Sequence, residues 1–400
     1  MNAGRRSTIH RLLLSLPLIA LFTGGGVSLS IRGAVFQDSP TSEQIVRERI
    51  KRIVNPTIPV GDRLTDYSEL SKLPTTDRDA ALGEVVRAAD ESIASMAAAT
   101  LIRDRFPAAR DLILPRISKW VDRNQLVVLQ AIQFAPEDQT LWEIPREVIR
   151  NTLSSARTGT QSPHPQSALD SAAVVLAASN DLPDRILIRN SLLSQPGSRG
   201  LWLATAKMGG LEPREVILAA STYKDRTLSV EVRVAAAAAL APGDASAAAF
   251  VAAEIESLIA RFAGREMAEM LVAAQSDQNE KKNLYYLREH LPLLATLRFL
   301  RTPGAEDLTF RFIAVKNDQI RVALGLVACT RWPERWLTAS HAAFTREEYE
   351  NLLGFLTVLR PELTPVILEK VPKNALDEIV IRLGQAGVVG VFGLPAAALG

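Results

Sequence analysis

The chain has 400 residues, 47% of them hydrophobic and 22% charged, with a formal charge of +2. That length and apolar content suit a folded protein and exclude disorder, and the near-neutral charge gives no global field to attract nucleic acid. Aromatics at 6% favour close-packed helices over sheets, and a single cysteine, Cys329, excludes an internal disulfide and a Cys-based zinc site.

Residues 1–30 read as a secretory signal. Arg5, Arg6, His10 and Arg11 form a basic head, Leu12 to Phe22 (LLLSLPLIALF) is an apolar run of eleven residues, and small residues follow at Thr23 to Gly26, Ser28 and Ser30. The three arginines are the only charges of this segment, so the rest of the chain carries a formal charge of −1. An uncleaved anchor is the alternative, because no charge occurs from Leu12 to Ile31, a length that can span a bilayer. Both readings place the protein outside the cytoplasm: in the periplasm, the extracellular space or the cell envelope, and in the second case tethered to the inner membrane through residues 12–31.

Residues 31–76 are expected to form a lead-in, broken by Pro40, Pro56, Pro59 and Pro74, with room for one helix. The body spans 77–386. Helices are predicted at 77–88, 90–103, 108–121, 122–135 and 140–156. A polar break at 157–165 (RTGTQSPHP) marks an exposed loop or joint. Helices resume at 166–179, 183–194 and 201–208, and Pro213 opens the next at its first turn, reaching 221. Then come 229–241, a long stretch from 244 to about 276, a charged separator at 278–283, and a helix ending at Leu300. Segments 307–315, 318–328, 346–359, 363–371 and 375–385 complete the set. No segment alternates with period two, so no sheet is expected. Residues 387–400 form an apolar, glycine-rich tail. Val388, Val389, Val391, Phe392 and Leu394 are expected there to fold back around Leu376, Ile379 and Leu383 or to dock on a partner.

Two stretches carry a repeat. Val232-Arg233-Val234-Ala235-Ala236-Ala237-Ala238-Ala239-Leu240 and Ile320-Arg321-Val322-Ala323-Leu324-Gly325-Leu326-Val327-Ala328 share an apolar–arginine start and a small-residue stripe. Asp90, three residues before Ile93, matches the acidic cap of such a helix. The pattern resembles the second helix of HEAT repeats. The resemblance implies an all-α, irregular HEAT-like α-solenoid of stacked antiparallel helix pairs, since one pair cannot bury both of its faces.

Catalytic motifs are not evident. The four histidines, His10, His164, His290 and His341, form no H-x-x-x-H pair. Gly197-Ser198-Arg199-Gly200 is one residue short of a nucleophile elbow and reads as a turn. Cys329 ends an apolar helix with no base in view and reads as buried and inert. Glu254 with Glu256, and Glu347 with Glu348, imitate a carboxylate dyad but suit solvated helix faces. Arg331-Trp332-Pro333-Glu334-Arg335-Trp336 sets two tryptophans four apart; they either grip a peptide or glycan by stacking or pack between repeats. No catalytic residue, metal site or cofactor is assigned, and no binding residue is singled out. The expected function is a non-catalytic scaffold of the cell envelope that holds a protein or peptide on its concave surface. An enzyme of envelope polymers and a membrane-tethered assembly factor are the alternatives.

Overall fold

Alanine and leucine, abundant here, lose little on entering a helix, and short polar side chains stand where helices must start. Asp90 accepts from the backbone N–H groups of Ser92 and Ile93, as its position in the sequence predicts, and Ser198, Ser229, Asp244, Asp277, Asn317 and Thr345 cap other helices in the same way. The computed structural model describes residues 42–133, 138–158, 166–179, 181–339 and 341–392. Residues 1–41, with the expected signal and His10, residues 159–165 with His164, and the last eight residues lie outside the described residues. Among the described residues there are twenty-one α-helices, short 3-10 segments and no strand. None of these helices is long and apolar enough to cross a membrane.

Two helices occupy the lead-in, α1 (Ser42–Val54) and α2 (Val60–Leu70), one more than expected. Pro59 does not break the chain here; it stands just before α2 and starts it, with its backbone already extended. The chain then alternates between outer and inner helices. They are α3 (Thr75–Ala88) and α4 (Glu91–Arg103), α5 (Ala109–Ile117) and α6 (Asp122–Gln133), α7 (Glu143–Thr158) and α8 (Gln166–Leu176). Next are α9 (Leu182–Ser194) and α10 (Arg199–Met208), then α11 (Pro213–Lys224) and α12 (Val230–Leu240). Three outer helices follow, α13 (Ala245–Phe262), α14 (Met267–Ala273) and α15 (Gln278–His290), answered on the inside by a 3-10 segment, Leu291–Arg298. The last pairs are α16 (Gly304–Phe312) and α17 (Asp318–Arg331), α18 (Pro333–Ala339) and α19 (Arg346–Leu359), α20 (Thr364–Leu368) and α21 (Lys373–Phe392).

Each inner element packs on the one before and the one after, from α4 through the 3-10 segment to α21. Their sequences explain this. Leu201–Ala206 of α10, Val234–Leu240 of α12 and Val322–Cys329 of α17 are buried at every position. A helix apolar all round must have neighbours all round. Small residues let these neighbours approach: a Cβ on Gly200 would lie 2.1 Å from the backbone of Asp170 in α8. The array is not open at its ends. α21 touches α4 and α6, and Arg103 at the end of α4 donates to the carbonyl of Leu383 at 3.3 Å, across 280 residues. The stacked pairs return on themselves, with the inner helices buried between their neighbours.

Three sequence expectations change. The long stretch from 244 to 276 is two helices, broken at Gly264-Arg265. The turn between α16 and α17 plugs the break: Lys316 N–H donates to the Ala263 carbonyl at 2.8 Å, and the Asn317 amide to the Arg265 carbonyl at 3.1 Å. The charged residues 278–283 are no separator but the first turns of α15, capped by Asp277. As far as Phe392 the glycine-rich tail does not fold back, and Leu394 with the rest of 393–400 lies outside the described residues. Residues 387–392 extend α21, with Phe392 edge-on to Phe355 of α19 at 6.2 Å. Packing against α19, α4 and α6 overrides the poor helix propensity of glycine.

Candidate functional site

Like ends of neighbouring inner helices lie together, so each end of the array gathers polar side chains from residues far apart in sequence. At the N-terminal end, Asp122 of α6 accepts from the Ala168 N–H of α8 at 2.9 Å. Asp170 of α8 accepts from the Ser198 hydroxyl at 2.5 Å. Burial raises the pKa of Asp170, against the pull of Ser198, Arg199 and the Gly200 N–H. Arg199 lies in the fields of Asp170 and Glu231, and burial lowers its pKa. Glu231 of α12 meets His290 Nδ1 of α15 at 2.7 Å, and the Tyr286 ring stands edge-on to the imidazole at 4.0 Å. This chain of groups ties five elements together, α6, α8, α10, α12 and α15. The Ser198 hydroxyl is committed twice, donating to Asp170 and accepting from the Leu201 N–H at 3.2 Å. It is a helix cap, as the turn-like sequence around it suggests.

The C-terminal end is different in kind, because it gathers cations. Lys207 closes α10 and donates to the Val174 carbonyl of α8 at 3.4 Å. Arg331 closes α17 and donates to the carbonyls of Leu297 and Leu300, both at 2.6 Å. Arg301 donates to the carbonyl of Lys207 itself. Arg298 stands close enough to Lys207 to depress its pKa, and Arg301 does the same to Arg331. Burial is the larger cause in both cases and brings the Lys207 ammonium down to about 8. Burial lowers Arg298, to about 10. Gly209 and Gly210 follow α10 with φ of 70° and 67°. A Cβ on Gly209 would lie 2.7 Å from Arg301 Nη1, so this turn is shaped around that guanidinium. Beside Lys207 lies a cavity of about 20 Å³, lined also by Ile132, Gln133, Trp142, Val175 and Ala178. That is room for about one water-sized group.

The residues weighed in the sequence fall elsewhere. Cys329 is buried, and burial pushes its thiol pKa well up, which keeps it protonated. Glu256 pairs with Arg311 at 2.9 Å and Glu348 with Arg321 at 2.6 Å, so neither acid forms a dyad. Trp336 is fully buried against Phe344 and Tyr349, and Trp332 packs edge-on to Phe310. Arg331 covers the Trp332 ring at 4.7 Å, while Arg335 lies over Phe310 at 4.2 Å. The pair of tryptophans packs between repeats and presents no open stacking platform. His341 lies in a 3-10 turn, His341–Ala343. The basic cluster went unseen in the sequence. Its signal is a lone cation in each of two otherwise uncharged runs, Lys207 in 200–211 and Arg298 in 291–300.

Comparison with protein-family models, with characterised proteins and with solved structures finds no match. The fold and its two polar ends define the class by themselves: an all-α array of stacked helix pairs, closed by its last helix.

Proposed function

We propose that this protein is an exported, non-catalytic scaffold of the cell envelope that holds another protein on its outer helices. The observation that carries this reading is the apolar surface of α9 and α11. Leu182 is 68% exposed and Ile217 71%, and Ile186, Leu193 and Val216 are exposed with them. Arg189 joins the two helices at this surface by pairing with Glu212 and donating to the Gly210 carbonyl at 2.6 Å. Large apolar side chains gathered on a charged frame suit a protein partner. With the inner helices buried, the outer helices are the surface on which this reading seats the partner. The repeat resemblance also supports a scaffold. Arg233 donates to the Tyr223 carbonyl at the end of α11, and Arg321 to the Val315 and Lys316 carbonyls after α16. The two signature arginines thus do the same work in two HEAT-like units.

Site-specific photo-crosslinking in cells tests the reading. A crosslinker at 186 and one at 217 are expected to capture the same envelope protein, and one at the exposed Glu84 of α3 to capture none. No adduct from 186 and 217, or the same adducts from all three positions, overturns it. Export is tested separately with Leu14→Arg combined with Leu18→Arg. Each charge opposes membrane entry by about 2.5–3.5 kcal/mol, so the double variant is expected to stay in the cytoplasm.

A further inference from the structure

We propose that the basic end of the inner array is a binding site for a phosphate group, with Lys207, Arg298, Arg301 and Arg331 as its cations. The site is independent of the protein partner proposed for α9 and α11.

The ends of α10, the 3-10 segment and α17 bring cations together in two pairs, Lys207 with Arg298 and Arg331 with Arg301, and Arg301 links them by donating to the Lys207 carbonyl. Among the described residues no carboxylate forms an ion pair with Lys207, Arg301 or Arg331. Glu306, the acid felt by Arg331, is engaged with Arg335 at 2.9 Å. Backbone carbonyls take up some of the N–H groups, but carbonyls are neutral and leave the accumulated charge in place. Gathering like charges in a half-buried position is unfavourable unless an anion joins them. The cluster is graded in exposure. Arg301 is open to solvent, while Lys207, Arg298 and Arg331 stand half-buried behind it. An anion therefore has an open entrance at Arg301, with the half-buried Arg331 guanidinium beside it. Arginine forks match the paired oxygens of a phosphate, and a lysine ammonium supplies a point charge. The cavity beside Lys207 is too small for a whole phosphate, so the group would lie on the surface of the cluster, outside that cavity. The Gly209-Gly210 turn completes the argument, since its left-handed backbone gives Arg301 its place at the end of α10.

The test is calorimetric titration of the full chain with inorganic phosphate, chloride being exchanged to hold ionic strength constant. Saturable binding at one site is expected, and its absence overturns the proposal. Arg301→Gln and, separately, Lys207→Gln are expected to weaken binding about tenfold or more, the loss of one charge-assisted hydrogen bond. Arg214→Gln, on the exposed face of α11, should leave affinity unchanged. Unaltered affinity in the first two variants overturns the proposal. Circular dichroism melts accompany each variant, and Arg301→Lys, which keeps the charge, replaces the glutamine should that variant unfold; it is expected to bind more weakly than the parent but measurably. A second readout needs no variant. The Lys207 ammonium, followed by NMR of labelled lysine, should titrate at higher pH when phosphate is present; an unmoved titration overturns the proposal. Vesicles separate the two sources of the group. Adsorption to phosphatidylglycerol but not phosphatidylcholine vesicles, relieved by inorganic phosphate and lost in Arg301→Gln, assigns a lipid headgroup. Phosphate binding without adsorption assigns a free phosphate.

Discussion

Gly200 shows how little tolerance the inner array has at a single position. Its missing side chain is the space that the backbone of Asp170 occupies. Gly200→Ala must push α8 and α10 apart, and a cost on the order of 4 kcal/mol or more is expected. Gly197→Ala, three residues earlier, meets nothing within 4 Å and should stay within about 0.5 kcal/mol. Urea unfolding of both variants checks the contrast. Lys207 makes a prediction in pH. Its folded pKa, about 8, lies below the unfolded value of about 10.4. Between those values the unfolded chain binds a proton that the folded chain does not, so this group raises stability as pH rises through that window. Below about pH 8 the buried charge is a constant cost. Lys207→Met should therefore be more stable than the parent near pH 7, and its advantage should shrink between about pH 8 and 10.4. An advantage that stays constant across that range would sink the assignment. At this scale the sequence was a partial guide. The Asp90 cap and the buried Cys329 follow from local pattern. The basic cluster does not, because its members stand as far apart as Lys207 and Arg331, and only the closing of neighbouring helices brings them together.

Helices themselves were largely legible, since period and caps are local properties. Arg346–Leu359 and Pro213 at the head of α11 fall where the sequence puts them. Failures occur where tertiary contacts decide. The break between α13 and α14 is sustained by the Lys316 and Asn317 bonds from a later repeat, and nothing within residues 244–276 announces it except Gly264. The last inner element before α16 is 3-10 over Leu291–Arg298, where Pro292 lacks the N–H that a continuing helix would use. The two signature arginines permit a test at this scale. Arg233 caps one carbonyl and lies over Phe250 at 5.0 Å. Arg321 caps two and also holds Glu348 in a mostly buried pair, at 12% and 16% side-chain exposure. Arg233→Ala is expected to cost about 1 kcal/mol, and Arg321→Ala about 3 kcal/mol because it strands a buried carboxylate. Equal losses in chemical denaturation would show that the arginines are not working as caps.

At the scale of the whole molecule, closure by α21 is the feature that pattern reading missed. A run with glycine at 384, 387 and 390 reads as a poor helix when its neighbours are unknown. Deleting residues 373–400 makes the difference measurable. In an open array the damage would stop at α19. In the closed one, amide exchange is expected to rise in α4 and α6 as well, while α12 keeps its protection. Closure also sets an order of events during synthesis. The partner of Arg103 is Leu383, and 280 residues separate them. At about 5–20 residues per second, the ribosome needs on the order of tens of seconds to deliver the second after the first. Throughout that interval the flank of α4 that α21 will cover has no occupant within the chain. A nascent chain of this protein therefore holds the Arg103 end of α4 without its partner for most of its own translation, and the arrival of α21 ends that wait.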